Sequence, residues 1–233
     1  MNILAVGAHP DDLEILCAGT LAKYTNQGHQ VTMAVLTNGN MGHPDINPVE
    51  MAKIRKQEFE NAAAIISAKT IWINIDDEMS VVDLPARLAM VDVIRQARPD
   101  VILTHSPTDY HVDHLNTSHL VLEAAPLACV HNIKRPLPQL DKQPLIYYFD
   151  TLGAIGFMPT EYVDITDTIK TKIAMFRCHK SQDEWMRTAT GFDISEVIHN
   201  VASVRGYAAG VKYAEGFQRV EAWYKGTTVR VLP

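Results

Sequence analysis

The chain has 233 residues, 47% of them hydrophobic and 21% charged, with a net charge of −6. That length can bury a full core without staples, and an acidic balance with no basic run or RNA-reading aromatic motif argues against a nucleic-acid partner. Cys17, Cys129 and Cys178 are far apart, odd in number and outside any CxxC, which reads as free thiols in a reducing compartment.

"NILAVGA" (2–8) reads as a buried parallel strand. A strand that begins at residue 2 leaves no room for a signal peptide, and no apolar run approaches the ~20 residues of a membrane helix, so a cytoplasmic protein without a membrane span is expected. A helix is predicted over 13–27, ending at Gly28, followed by a strand over "QVTMAVLT" (30–37) and the glycine-containing loop "NGNMGHPDINP". Helical spacing of Met51, Ile54, Ala62, Ile65 and Ile66 predicts a helix over 48–67. A strand over "TIWINI" (70–75), a helix over 83–97 and a strand over "DVILTH" (100–105) continue the alternation. Beyond residue 130 the rhythm loosens into a proline-rich loop, a strand over 145–150, a helix over "DTIKTKIAMFRCHKSQ" and a late edge strand over "TTVRVL" (227–232). The pattern predicts an α/β fold: a three-layer, Rossmann-like, doubly wound and mostly parallel sheet in a single domain over 1–233.

Two polar clusters interrupt this apolar framework. "AVGAHPDDLE" (5–14) follows the first strand, and "HSPTDYHVDH" (105–114) follows the fourth. Taken alone, Pro10, Asp11 and Asp12 are a helix start, since proline suits the first turn and carboxylates suit the positive dipole end. His9 is not explained that way. In a sheet of order 3-2-1-4-5 the first and fourth strands are neighbours, and ligands bind at the switch point beyond their carboxyl ends. The two clusters then face each other. His9 and Asp12, three apart, and His111 and His114, also three apart, are four candidates for the three protein positions of a catalytic zinc ion. The one histidine left over, with the aspartate of the first cluster outside these four, is available for acid–base work, the complement of a metal hydrolase.

The same stretches carry a resemblance. "AHPDDLE" resembles the AHPDDxE signature, and "HVDH" the HPDH-type signature, of the PIG-L/LmbE-like zinc-dependent N-acetylglucosaminyl deacetylases, which include the deacetylases of bacillithiol and mycothiol biosynthesis. "IRKQEFENAAAII" (54–66) and "KYAEGF" (212–217) are weaker likenesses, and the usual proline of HPDH is Val112, a position that shapes backbone only. The resemblance implies one zinc ion per chain held by His9, Asp12 and His114, with Asp11 as general base and His111, protonated, steadying the oxyanion. It further implies that Asp113 orients a histidine and that Arg55 binds sugar hydroxyls, for which a solvated helix charge is the rival reading. His43, in the loop after the second strand, overhangs the same crevice and is a candidate substrate contact. His105 is expected to pack beneath the site, and "CHKSQ" (178–182) to wall it.

The expected activity is removal of an N-acetyl group from an N-acetylglucosamine-type sugar or conjugate, by a homo-oligomer with a small-molecule substrate. The alternatives are an amidase acting on another acylated amine, such as a thiol conjugate or antibiotic intermediate, and a non-catalytic sugar-binding α/β protein. A nucleotide version of the latter is weakened because "VGAHPDD" lacks the GxGxxG that cradles a pyrophosphate.

Overall fold

A computed structural model of the chain describes residues 1–222 and 230–233. Strands β1 (Asn2–Gly7), β2 (Gln30–Thr37), β3 (Lys69–Ile75), β4 (Val101–Thr104) and β5 (Leu145–Phe149) are followed by β6 (Glu161–Asp164) and β7 (Ala214–Arg219). They form one sheet in the order β3-β2-β1-β4-β5-β7-β6. The first five are mutually parallel, and β7 runs antiparallel between β5 and β6. The mostly parallel, doubly wound sheet expected from the sequence, with order 3-2-1-4-5, is therefore present. Of the late strand expected over 227–232, residues 227–229 lie outside the described residues and 230–232 are not strand.

Side chains alternate across the sheet, as the pleat requires. Ile3, Ala5, Val31, Met33 and Val35 enter one core, whereas Leu4, Val6, Ala34 and Leu36 enter the other. The first layer is covered by α1 (Asp12–Leu16), α2 (Ala18–Asn26), α3 (Pro48–Ile65), α6 (Ile169–Phe176) and α8 (Ile194–Ala209). The second is covered by α4 (Leu84–Ala97) and α5 (Val112–Ala128). Burial on both faces is why the strands read as continuous apolar runs.

Two expected helices are each broken in two. The helix over 13–27 divides at Cys17, because the Glu215 carboxylate from β7 accepts from the Gly19 and Thr20 amides at 2.9 and 2.8 Å and gives α2 its own N-terminus. Glu215 is paired in turn with Lys172 of α6, both buried. The helix over 167–182 ends at Phe176 and restarts after His179 as α7 (Lys180–Thr190). The sequence reading missed β6, β7 and α8. Among the described residues no helix is long and apolar enough to cross a membrane.

Candidate metal centre and active site

β1 and β4 lie side by side with Val6 opposite Thr104, so Ala8–His9 and His105 leave the sheet from adjacent points of its carboxyl edge. The Ala8 and His9 amides donate to Asp12 Oδ2 at 3.0 and 2.7 Å, and His105 Nε2 lies 3.1 Å from the same oxygen. Asp12 thereby keeps Oδ1 for other work, and that atom faces His114 Nε2 at 3.4 Å. Across the crevice α5 starts at Val112, which puts Asp113 and His114 in its first turn.

Each of the two flanking histidines is backed by carboxylates. His9 Nε2 meets Asp77 Oδ1 at 3.2 Å and Asp113 Oδ2 at 3.3 Å, while its Nδ1 is 3.4 Å from Asp12 Oδ2. His114 Nδ1 meets Asp109 Oδ2 at 3.0 Å. Asp113 is itself held by the Glu78 amide at 2.9 Å and by the Ser80 hydroxyl, and Asp109 Oδ1 accepts from the Tyr110 and His111 amides. Holding one ring nitrogen on a carboxylate fixes the ring and frees the other nitrogen as a ligand. One ligand atom from each of His9, Asp12 and His114 lies within 4.8 Å of the others, and the rings of His9 and His114 are 5.3 Å apart. The trios His9–His111–Asp113 and His105–Asp109–His114 also cluster, but they spend carboxylates that here back a histidine. Two imidazoles and one carboxylate with an open side suit a catalytic divalent ion, zinc above all.

The electrostatics fit a cation. Burial works against charge on His114, yet Asp12 and Asp109 outweigh it and lift its pKa to about 9. His9 is likewise raised against its burial by Asp12, Asp113 and Asp77. Burial opposes ionisation of Asp12, but His114, His105 and His9 hold it well below the usual range. In the metal-free chain, protons on imidazoles thus neutralise carboxylates that a divalent ion would otherwise satisfy. His105 is fully buried and stacked on His114 at 3.9 Å, and burial followed by the His114 charge pushes it down to about 4.

Asp11 is different. It is the N-terminal flanking residue of α1, but its side chain makes no capping bond, so the helix-cap reading fails for it. Its backbone sits at φ 146° and ψ −22°, a conformation that L side chains rarely adopt and that costs about 1–3 kcal/mol. Burial raises its pKa from 3.8 to about 6 even though Arg55 beside it favours the carboxylate. Arg55 Nη2 lies 3.2 Å from Asp11 Oδ1 and donates to the Pro10 carbonyl at 2.5 Å. Arg55 is only 2% exposed, so the solvated-charge reading is wrong, and its visible partners are protein groups that hold Asp11. The glycine loop explains itself at the same point. A Cβ on Gly39, which has φ 62°, or on Gly42 would come within 3.0–3.1 Å of the guanidinium. A cleft of about 210 Å³ opens over these groups, lined by His9, Asp11, Gly42, Arg55, Asp77, Glu78, His111 and Gln182.

His111 lines that cleft. As N-cap of α5 its Nδ1 accepts from the Asp113 amide at 3.2 Å, and its Nε2 lies 3.3 Å from Glu78 Oε1, free to donate into the cleft. His43 stands outside the inner cleft, with Nδ1 accepting from the Asp45 and Ile46 amides at 3.1 and 3.3 Å. Of "CHKSQ", Gln182 is the wall residue. The sequence reading missed Asp77, Asp109 and the role of Glu78. Asp77 follows β3 at the same sheet edge, so the rule that joined the two histidine clusters also points to it. Asp109 lies inside the second cluster, where the histidines carry the stronger metal signal.

A family model for PIG-L, described as GlcNAc-PI de-N-acetylase, matches residues 4–125. The chain is 31% identical to the diacetylchitobiose deacetylase of Thermococcus kodakarensis, over 94% of this chain and 83% of that protein. Its structure resembles an N,N'-diacetylchitobiose deacetylase from Pyrococcus horikoshii, with TM-score 0.81, 27% identity and coverage of 94% and 83%. It also resembles the 4-carboxy-2-hydroxymuconate hydratase of Pseudomonas putida, with TM-score 0.83, 25% identity and coverage of 98% and 100%.

Proposed function

Because the chain belongs to the PIG-L family of GlcNAc-PI de-N-acetylases, we propose that it hydrolyses the N-acetyl amide of an N-acetylglucosamine-type sugar or conjugate. The observation that carries this reading is the convergence of the carboxylate-backed His9–Asp12–His114 donor set with an uncapped, buried Asp11 at one cleft.

His9, Asp12 and His114 would hold one zinc ion. Bound there, zinc polarises a carbonyl and lowers the pKa of water towards about 7. Asp11 takes the proton of the attacking water and returns it towards the leaving nitrogen. Its raised pKa suits that exchange near neutrality, because a base works best when its pKa lies close to the working pH. Arg55 keeps the Asp11 carboxylate aimed into the cleft. His111 Nε2–H donates to the carbonyl oxygen as negative charge develops on it. Asp109, Asp113 and Asp77 hold the two ligand rings in position.

A hydratase reading is favoured by likeness in both fold and sequence to hydratases of Pseudomonas putida. The cleft opposes a polycarboxylate of the kind named for those relatives, because its lining carries Asp11, Asp77 and Glu78 against a single guanidinium already paired with Asp11. The discriminating experiment incubates the zinc-loaded protein with N-acetylated amino sugars and measures acetate and free amine together. Equimolar release of both is expected. No release, with water added across an unsaturated dicarboxylate instead, would overturn the proposal. Near one zinc per chain is expected in purified protein, and a chain that binds none would favour a non-catalytic binding protein.

A further inference from the structure

Gln182 is the last of the cleft's lining residues in chain order. That residue lies in the first turn of α7, where its Nε2 donates to the Gly42 carbonyl at 3.1 Å, and one turn further the same helix presents Trp185. Trp185 is only partly buried and belongs to neither side-chain core, although Met186 beside it packs against the first. Its indole Nε1 has no hydrogen-bond partner among the described residues. The ring it meets is His43, with centroids 6.4 Å apart and planes inclined by 50°. His43 is locked by the two backbone amides on its Nδ1, which leaves Nε2 for a ligand.

A partly exposed tryptophan outside both cores, with a free donor beside a polar cleft, offers a ligand both a stacking face and a hydrogen bond. We propose that Trp185 and His43 form a subsite for a second, uncharged pyranose ring, linked to the N-acetylated sugar in the inner cleft. This rests on the deacetylase reading and specifies its substrate as at least a disaccharide or equivalent glycoconjugate. A pyranose has an apolar C–H face that lies on the indole and hydroxyls that take the two N–H groups. A carboxylated second unit is disfavoured: the acidic Glu78 side chain stands 56% exposed at the inner end, and Arg55 is already paired.

The test compares the parent with Trp185→Ala and Trp185→Phe, all zinc-loaded, on diacetylchitobiose and on N-acetylglucosamine. The kcat/KM ratio of disaccharide to monosaccharide should fall about 10-fold or more in Trp185→Ala, mainly through KM, with partial recovery in Trp185→Phe. An unchanged ratio in Trp185→Ala overturns the subsite. In parallel, diacetylchitobiose is titrated calorimetrically into turnover-blocked Asp11→Asn, with and without Trp185→Ala. Saturable binding that weakens about 10-fold or more without Trp185 supports the subsite, and no binding, or equal affinity without Trp185, overturns it. If the parent releases acetate from neither sugar, the deacetylase reading fails by itself and this titration still decides whether the second ring binds.

Discussion

Asp11→Asn should stabilise the metal-free protein while abolishing its turnover. The folded state raises the Asp11 pKa from 3.8 to about 6, because burial disfavours the carboxylate more than Arg55 favours it. An acid whose folded pKa is raised carries no penalty below its unfolded pKa, where it is protonated in both states. The cost of ionising it in the fold grows between about pH 4 and 6 and is complete above that. Two pKa units are worth on the order of 3 kcal/mol. Asparagine keeps the shape and an oxygen for Arg55 but never ionises. Urea unfolding of the metal-free parent and variant across pH 4–8 should therefore give equal stabilities near pH 4. By pH 7 the variant should be ahead by roughly 3 kcal/mol, or about 6–12 °C in Tm for a chain of this size. Zinc-loaded Asp11→Asn should retain its metal and lose roughly 10²-fold or more in kcat. A variant less stable than the parent at pH 7, or a pH-independent difference, would refute the reasoning. Zinc loss in Asp11→Asn with retention in Asp12→Asn would mean that base and ligand are exchanged.

His114→Ala should lose zinc sharply by metal analysis. His111→Ala should keep near-stoichiometric zinc and lose about 2–4 kcal/mol of transition-state stabilisation, as the removal of an oxyanion donor does. Asp109→Asn leaves His114 Nδ1 without its carboxylate and should weaken zinc binding by about 10- to 100-fold in a chelator competition, with the fold unchanged in circular dichroism. Glu215→Gln strands the Lys172 ammonium in a site where both side chains are 3% exposed. It should cost about 3–5 kcal/mol in denaturant unfolding, with zinc stoichiometry in the folded fraction preserved.

Much of this was legible in the chain as written. The alternation of apolar runs and helical spacing determined a parallel α/β sheet, because burial on both faces imposes its own composition. Contiguity made the site readable too: His9 with Asp12, and His111 with His114, are each held in one turn, and the sheet order brings the two pairs together. Tertiary structure decided whatever depends on residues distant in sequence. Helix propensity cannot break 13–27 at Cys17, because the carboxylate that caps Gly19 and Thr20 comes from Glu215, 196 and 195 residues away. Nothing local distinguishes Arg55 from a solvated helix charge until Gly39 and Gly42 close over it and Asp11 pairs with it. Neither can sequence reveal which oxygen of Asp12 is free, which nitrogen of His111 carries the proton, or that Asp11 is strained and uncapped. Those are properties of hydrogen-bond direction and backbone angle, which exist only once the amides that follow β1 and open α5 have been aimed.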